Sequence, residues 1–206
     1  MRNHISTVII FIVGLFILWE GTDGLRAFTA EKARQINIME KKPLLPNVSL
    51  EDGNGKALQL YDYKGKIVLA TFMYTSCGDV CPILEMKFKE VYDQLPKELI
   101  GKEVVFLSFS FDPFHDTPER LKVYENHFGA DGITWKMVRF SNEKQQQQFL
   151  DLAGVIVIPK EDGGFEHNAA IYLINEQVRL IEIFDYQHSQ NVVNKVRAMI
   201  EKRNRS

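Results

Sequence analysis

The sequence predicts an α/β fold, with a central mixed β-sheet flanked by helices. Three observations carry this. IVLATFMY (Ile67 to Tyr74) is a continuous apolar run of strand length, the pattern of a strand buried on both faces, and EVVFLSFSF (Glu103 to Phe111) reads as a second. Segments with helical apolar spacing follow these runs, so strand and helix alternate along the chain. The strand-like stretches NAAIYLIN and VRLIEIF, joined at Asn175-Glu176-Gln177, form a hairpin near the end.

Each element has its own signals. LQLYDYKGK gives a short strand and a turn at Lys64-Gly65-Lys66 before the first core strand. PILEMKFKEVYDQL places Ile83, Leu84, Phe88, Val91, Tyr92 and Leu95 at helical spacing, and Pro82 suits a first helical turn. DTPERLKVYENHFG reads as a helix with Asp116 or Thr117 as cap, Pro118 in the first turn and Gly129 at the end. WKMVRF is a third strand. SNEKQQQQFLDLAG follows as a helix capped by Ser141, its glutamines Gln145 to Gln148 forming a solvated face. Ser189 to Lys202 reads as an amphipathic terminal helix.

Before this domain, ISTVIIFIVGLFILW (Ile5 to Trp19) carries no charge. It falls short of the ~20 residues of an average membrane span, yet Trp19 suits the interface. No good small-x-small cleavage site follows, because acidic Asp23 lies in the nearest candidate. We therefore expect residues 1–21 to be an uncleaved membrane anchor, 22–42 a charged, partly helical stalk, and 43–206 the folded domain. Positive charges after the segment (Arg26, Lys32, Arg34) outnumber Arg2 before it, but a long translocated domain weakens that rule, so the domain is expected outside the cytoplasmic membrane. Across 206 residues the net charge of -2, with no long basic stripe, argues against nucleic-acid binding.

Chemistry concentrates in TSCGDVCP (Thr75 to Pro82), which holds both cysteines, Cys77 and Cys81. If both lie on or enter one helix, their α-carbons are ~6 Å apart, from four rises of 1.5 Å. That spacing suits a disulfide, and equally two soft sulfurs on one metal ion. The start of a helix also lowers a thiol pKa. A third ligand would come from histidine. His4 lies in the N-terminal flank, His127 on a helix beside Phe128, and His188 before the last helix. His115, in DPFHDTP, and His167, in DGGFEHNAAIYLIN, are loop residues between which spacing does not choose.

TFMYTSCGDVCP, FSFDPFHDTPERLKVYENHFG and FEHNAAIYLIN, in that order, resemble the SCO/SenC family of copper-binding cytochrome c oxidase assembly proteins. The resemblance spans roughly Leu45 to Ile200. It implies a thioredoxin-like fold held outside the membrane by one N-terminal helix, copper as Cu(I) or Cu(II), and Cys77, Cys81 and His167 as its ligands. It gives Asp112, of Asp112-Pro113, a supporting or loop-ordering role. It implies three partners: the CuA-bearing oxidase subunit, a copper-donating chaperone, and a thiol reductant. Three positions depart from the family pattern. Gly78 stands where Pro is frequent, and Glu166 and Asn168 flank the histidine where Asp and Ser are frequent.

The rival reading is a thiol-disulfide oxidoreductase or a peroxiredoxin-like enzyme using Cys77 and Cys81 as a redox-active pair. Thioredoxin-type enzymes carry one residue fewer between their cysteines, and a peroxiredoxin needs an arginine whose place the sequence does not reveal. Copper chaperoning and reduction of target cysteines are compatible. Met73 and Met86 are expected to pack in the core rather than bind metal. Glu85 and Asp79 are expected to be solvated or capping.

Overall fold

A computed structural model describes residues 10–17, 30–161 and 163–205. The chain separates into two compact units, residues 1–41 and 42–206. In the first, residues 10–17 are helical and helix α1 spans Ala30–Lys41. Part of the expected anchor lies outside the described residues. Among the described residues, no helix is long and apolar enough to cross a membrane.

The second unit contains strands β1 (Ser49–Asp52), β2 (Ala57–Gln59) and β3 (Ile67–Met73), then helix α2 (Val80–Gln94) and strand β4 (Val104–Ser110). Helix α3 (Pro118–Phe128), strand β5 (Trp135–Phe140) and helix α4 (Glu143–Ala153) follow. The chain ends with β6 (Val157–Pro159), β7 (Phe165–His167), β8 (Ile171–Ile174), β9 (Leu180–Phe184) and α5 (Ser189–Asn204). Seven strands form one mixed sheet in the order β2-β1-β5-β4-β3-β8-β9. The central β3, β4 and β5 are parallel; β1, β2, β8 and β9 add antiparallel pairs at the edges. β6 and β7 form a separate two-stranded hairpin that the sequence did not reveal.

Every residue of β3 and β4 is buried, which is why their runs lack polar alternation. The aligned register Phe72↔Phe109 puts both rings on one face, stacked at 5.5 Å, where Phe149 of α4 packs 5.3 Å from Phe109. The register Phe106↔Trp135 serves the other face, where Phe88 of α2 meets Trp135 edge-on at 5.6 Å. Helices α2 and α4 thus cover opposite faces.

Capping decides one expectation and corrects another. The α3 cap is Thr117, whose hydroxyl accepts from Arg120 N at 3.4 Å, which leaves Asp116 free for another task. The α4 cap is Asn142 rather than Ser141, its side chain accepting from Gln145 N at 2.9 Å. Nor are the glutamines a purely solvated face: Gln145 accepts from Ser49 N at 2.8 Å and Gln146 donates to Phe111 O at 2.7 Å, tying α4 to β1 and to the end of β4. We expect Thr117→Ala to cost about 1 kcal/mol in urea denaturation, the usual worth of such a cap; an unchanged midpoint would show that Pro118 alone fixes the helix start.

Candidate metal centre

β3 ends at Met73 and the chain turns through residues 74–79 before α2 begins at Val80. Cys77 therefore lies in the turn entering the helix and Cys81 in the first helical turn. The turn brings them together: Cys81 N donates to Cys77 Sγ at 3.4 Å, so an N–H of the helix start faces the sulfur. Cys77 is 8% exposed and Cys81 is fully enclosed. The helix start does not set the Cys81 pKa. Burial dominates and pushes its thiol well above the ordinary value, with neighbouring Cys77 and Glu85 adding to the rise.

His167 closes the site from β7. Its Nε2 lies 3.2 Å from Cys81 Sγ, and the two sulfurs and the imidazole nitrogen all fall within 4.8 Å of one another. Among the described residues this is the only group of three His, Cys or carboxylate side chains so gathered. Burial holds the imidazole pKa below its usual value, which favours the neutral, metal-binding form.

The hairpin carrying His167 is not a free glycine loop. Phe165 packs edge-on against Tyr74 at 5.2 Å and against Phe111 at 5.5 Å, and Phe165 N donates to Tyr74 Oη at 3.3 Å. His167 itself lies 5.1 Å from the Phe111 ring. Asn168 accepts from Ile156 N at 2.7 Å and donates to Gly154 O and Tyr172 Oη, fastening the hairpin base to its neighbours. An asparagine here thus makes useful bonds. Glu166 points outward, 3.4 Å from Lys160 Nζ. A Cβ at Gly78 would meet nothing within 4 Å, so nothing there requires glycine.

The remaining candidates separate clearly. His115, exposed, bonds Asp112 through Nδ1 at 2.9 Å and stays outside the sulfur cluster. Asp112 orders its own loop: its carbonyl accepts from His115 N and Asp116 N. The carboxylate that reaches the cysteine turn is Asp116, which accepts from Thr75. Met73 is core, as expected, but Met86 is 55% exposed rather than packed. Asp79 is exposed at the start of α2 without a side-chain capping bond. Glu85, expected to be solvated or capping, is wholly buried between α2 and the sheet, 2.7 Å from Thr71 Oγ1 and 2.8 Å from Ser108 Oγ. No charge pattern announced it, although Thr71 and Ser108, aligned in two mostly apolar strands, were visible polar positions.

Comparison with known proteins fits this geometry. The SCO1/SenC family model matches residues 38–201, which includes both cysteines and the histidine. The chain belongs to the SCO1/SenC family. Within it, a SCO2-like protein of Rickettsia felis is 34% identical over 167 residues, covering 76% of this chain and 78% of that protein. A SCO1 homologue of Bacillus subtilis is 24% identical over 145 residues, covering 69% and 73%. Among solved structures, Bradyrhizobium japonicum ScoI with copper bound is 26% identical with a TM-score of 0.62, covering 76% of this chain and 99% of that one. The two-thiol, one-imidazole donor set suits the copper seen in that relative, since soft thiolates select Cu(I) and imidazole suits copper.

Proposed function

We propose that this chain is a copper metallochaperone for assembly of the CuA centre of cytochrome c oxidase, with copper as cargo on Cys77, Cys81 and His167. The carrying observation is the convergence of those three donor atoms within 4.8 Å, from a turn, a helix and a separate hairpin. Family membership and the copper held by ScoI support it. Three ligands from a partly open site hold an ion without caging it, so a recipient's ligands can replace them in turn. Loading Cu(I) displaces two thiol protons to solvent. The raised pKa of Cys81 makes that displacement harder, so loading weakens as pH falls. A disulfide offers no thiolate, so a reductant must act first.

In the same reading, residues 1–21 anchor the protein in the cytoplasmic membrane, 22–42 form a stalk, and 43–206 work on the outer side. The donor is a copper chaperone and the recipient the CuA-bearing oxidase subunit. Thiol-disulfide exchange is a second use of the pair, favoured by the asymmetry of Cys77, which keeps a little exposed surface, and Cys81, which keeps none.

The test is copper stoichiometry and absorption of the reduced protein, with His167→Ala alongside. We expect one copper per chain, and thiolate charge-transfer bands of Cu(II) that weaken or shift in the variant. Disulfide exchange should survive His167→Ala. Copper retention identical in both proteins would remove the histidine from the site; no copper in either would leave exchange as the function.

A further inference from the structure

Cys81 is fixed by a helix, and His167 by a hairpin packed on aromatic rings. Cys77 has neither support. It sits in a turn outside every strand and helix, so the separation of its sulfur from the other two donors depends on what holds that turn. We propose that Asp116 is a positioning residue whose buried carboxylate pins the Cys77 turn to the loop between β4 and α3, and so sets the place of the Cys77 sulfur. Its link to copper rests on the proposed function; its effect on the cysteine pair does not.

The geometry is specific. Asp116 has no exposed surface. One carboxylate oxygen accepts from Thr75 N at 3.0 Å and from Ser110 Oγ at 2.6 Å, and the other accepts from the Thr75 hydroxyl. Thr75 precedes Cys77 by two residues. The same Ser110 hydroxyl accepts from Asp112 N at 3.1 Å, so both ends of the Asp112–Asp116 loop are tied down. A second stitch runs alongside, from Arg120 Nη2 of α3 to Ser76 Oγ at 2.7 Å. The Cys77 amide itself donates back to Tyr74 O at 3.2 Å. Each residue from Tyr74 to Cys77 is therefore held, and the buried holding group is Asp116. A buried carboxylate with three donors fixes its partners more firmly than an exposed contact would, because removing it leaves buried donors unpaired. Asp116 is not one of the three gathered donors and acts through Thr75.

The experiment compares wild type, Asp116→Ala, Asp116→Asn and a control, Asp52→Ala. Asp52 is an equally buried carboxylate with a Lys136 partner at 2.8 Å, placed on β1 away from the cysteines. Two quantities are read. One is Cu(I) affinity, by competition with a chromophoric chelator. The other needs no metal: the equilibrium in which the protein dithiol and oxidised glutathione give the protein disulfide and two reduced glutathiones. Asp116→Ala is expected to lower both by roughly 10- to 100-fold, the usual loss when a group supporting a metal ligand is removed. Asp116→Asn keeps an oxygen for Thr75 N–H and should recover part of each, while Asp52→Ala should leave both near wild type. If Asp116→Ala does not fold, Thr75→Val, which removes only the hydroxyl contact, should shift both quantities in the same direction. Wild-type values in all folded Asp116 and Thr75 variants would overturn the proposal, as would equal losses in Asp52→Ala. If the wild type binds no copper but the glutathione equilibrium still moves with Asp116, the copper reading fails and the positioning role stands.

Discussion

Cys81→Ser is expected to lower Cu(I) affinity by roughly 10²–10³-fold, which exceeds the loss expected from any supporting residue. Structural zinc sites gain about 10–16 kcal/mol from four ligands, so one ligand is worth roughly 2.5–4 kcal/mol, and each 1.4 kcal/mol is a factor of about ten. Cys81 is also where the site's contacts meet. Its amide donates to Cys77 Sγ, and its sulfur lies 3.2 Å from His167 Nε2. A serine there keeps the helix and can hydrogen-bond His167, so the fold should persist, but its hydroxyl is a hard donor that stays protonated. Chelator competition on the reduced protein measures the loss, and circular dichroism checks the fold. Met86→Ala, on an exposed part of the same helix, should leave affinity unchanged. If Cys81→Ser binds Cu(I) as tightly as wild type, copper sits elsewhere and the proposed site is wrong.

How far the sequence leads depends on where the stabilising contacts lie. β3 and β4 were readable because burial on both faces writes itself into consecutive apolar residues. The hairpin of β6 and β7 was not, since its strands are three residues long and are held by Tyr74 and Phe111, distant in the chain. The cysteines were conspicuous, but the choice between His115 and His167 rested on resemblance. Only the folded chain places His167 beside Cys81 and sends His115 to Asp112. Asp116 and Thr117 both suited the helix cap, because caps and buried clamps use the same residue types; the cap is Thr117. Glu85 was misread because a charge on an amphipathic helix normally faces water, and its two hydroxyl partners lie on separate strands.

That buried carboxyl should give stability an unusual pH dependence. Glu85 Oε1 lies 2.7 Å from Thr71 Oγ1, Thr71 Oγ1 lies 3.0 Å from Ser108 Oγ, and Ser108 Oγ lies 2.8 Å from Glu85 Oε2. Both hydroxyls thus face the buried carboxyl group, one at each oxygen. Trp135 Nε1 donates to Ser108 Oγ, 3.1 Å away, which leaves the Ser108 proton for Glu85. Thr71 donates to one carboxyl oxygen and Ser108 to the other. Burial pushes the Glu85 pKa up to about 7 from 4.5, against the two hydroxyl bonds, which pull it down. Between those values the folded state holds a proton that the unfolded state has lost. The stabilisation is thus complete below about pH 4.5 and disappears as pH rises through about 7; at 1.36 kcal/mol per pH unit it amounts to about 3 kcal/mol. Other carboxylates act in the opposite sense. Asp52, raised by burial, is held below its usual pKa on balance by Lys136 and the Lys56 and Asn54 amides, so absolute stability mixes both signs. Glu85→Gln isolates the effect, because an amide can donate to Thr71 and accept from Ser108 without titrating. In urea denaturation of the reduced, metal-free proteins, Glu85→Gln should gain about 3 kcal/mol on wild type between pH 4.5 and pH 8. A constant difference across that range would mean that Glu85 is ionised in the folded protein as it is in the unfolded chain.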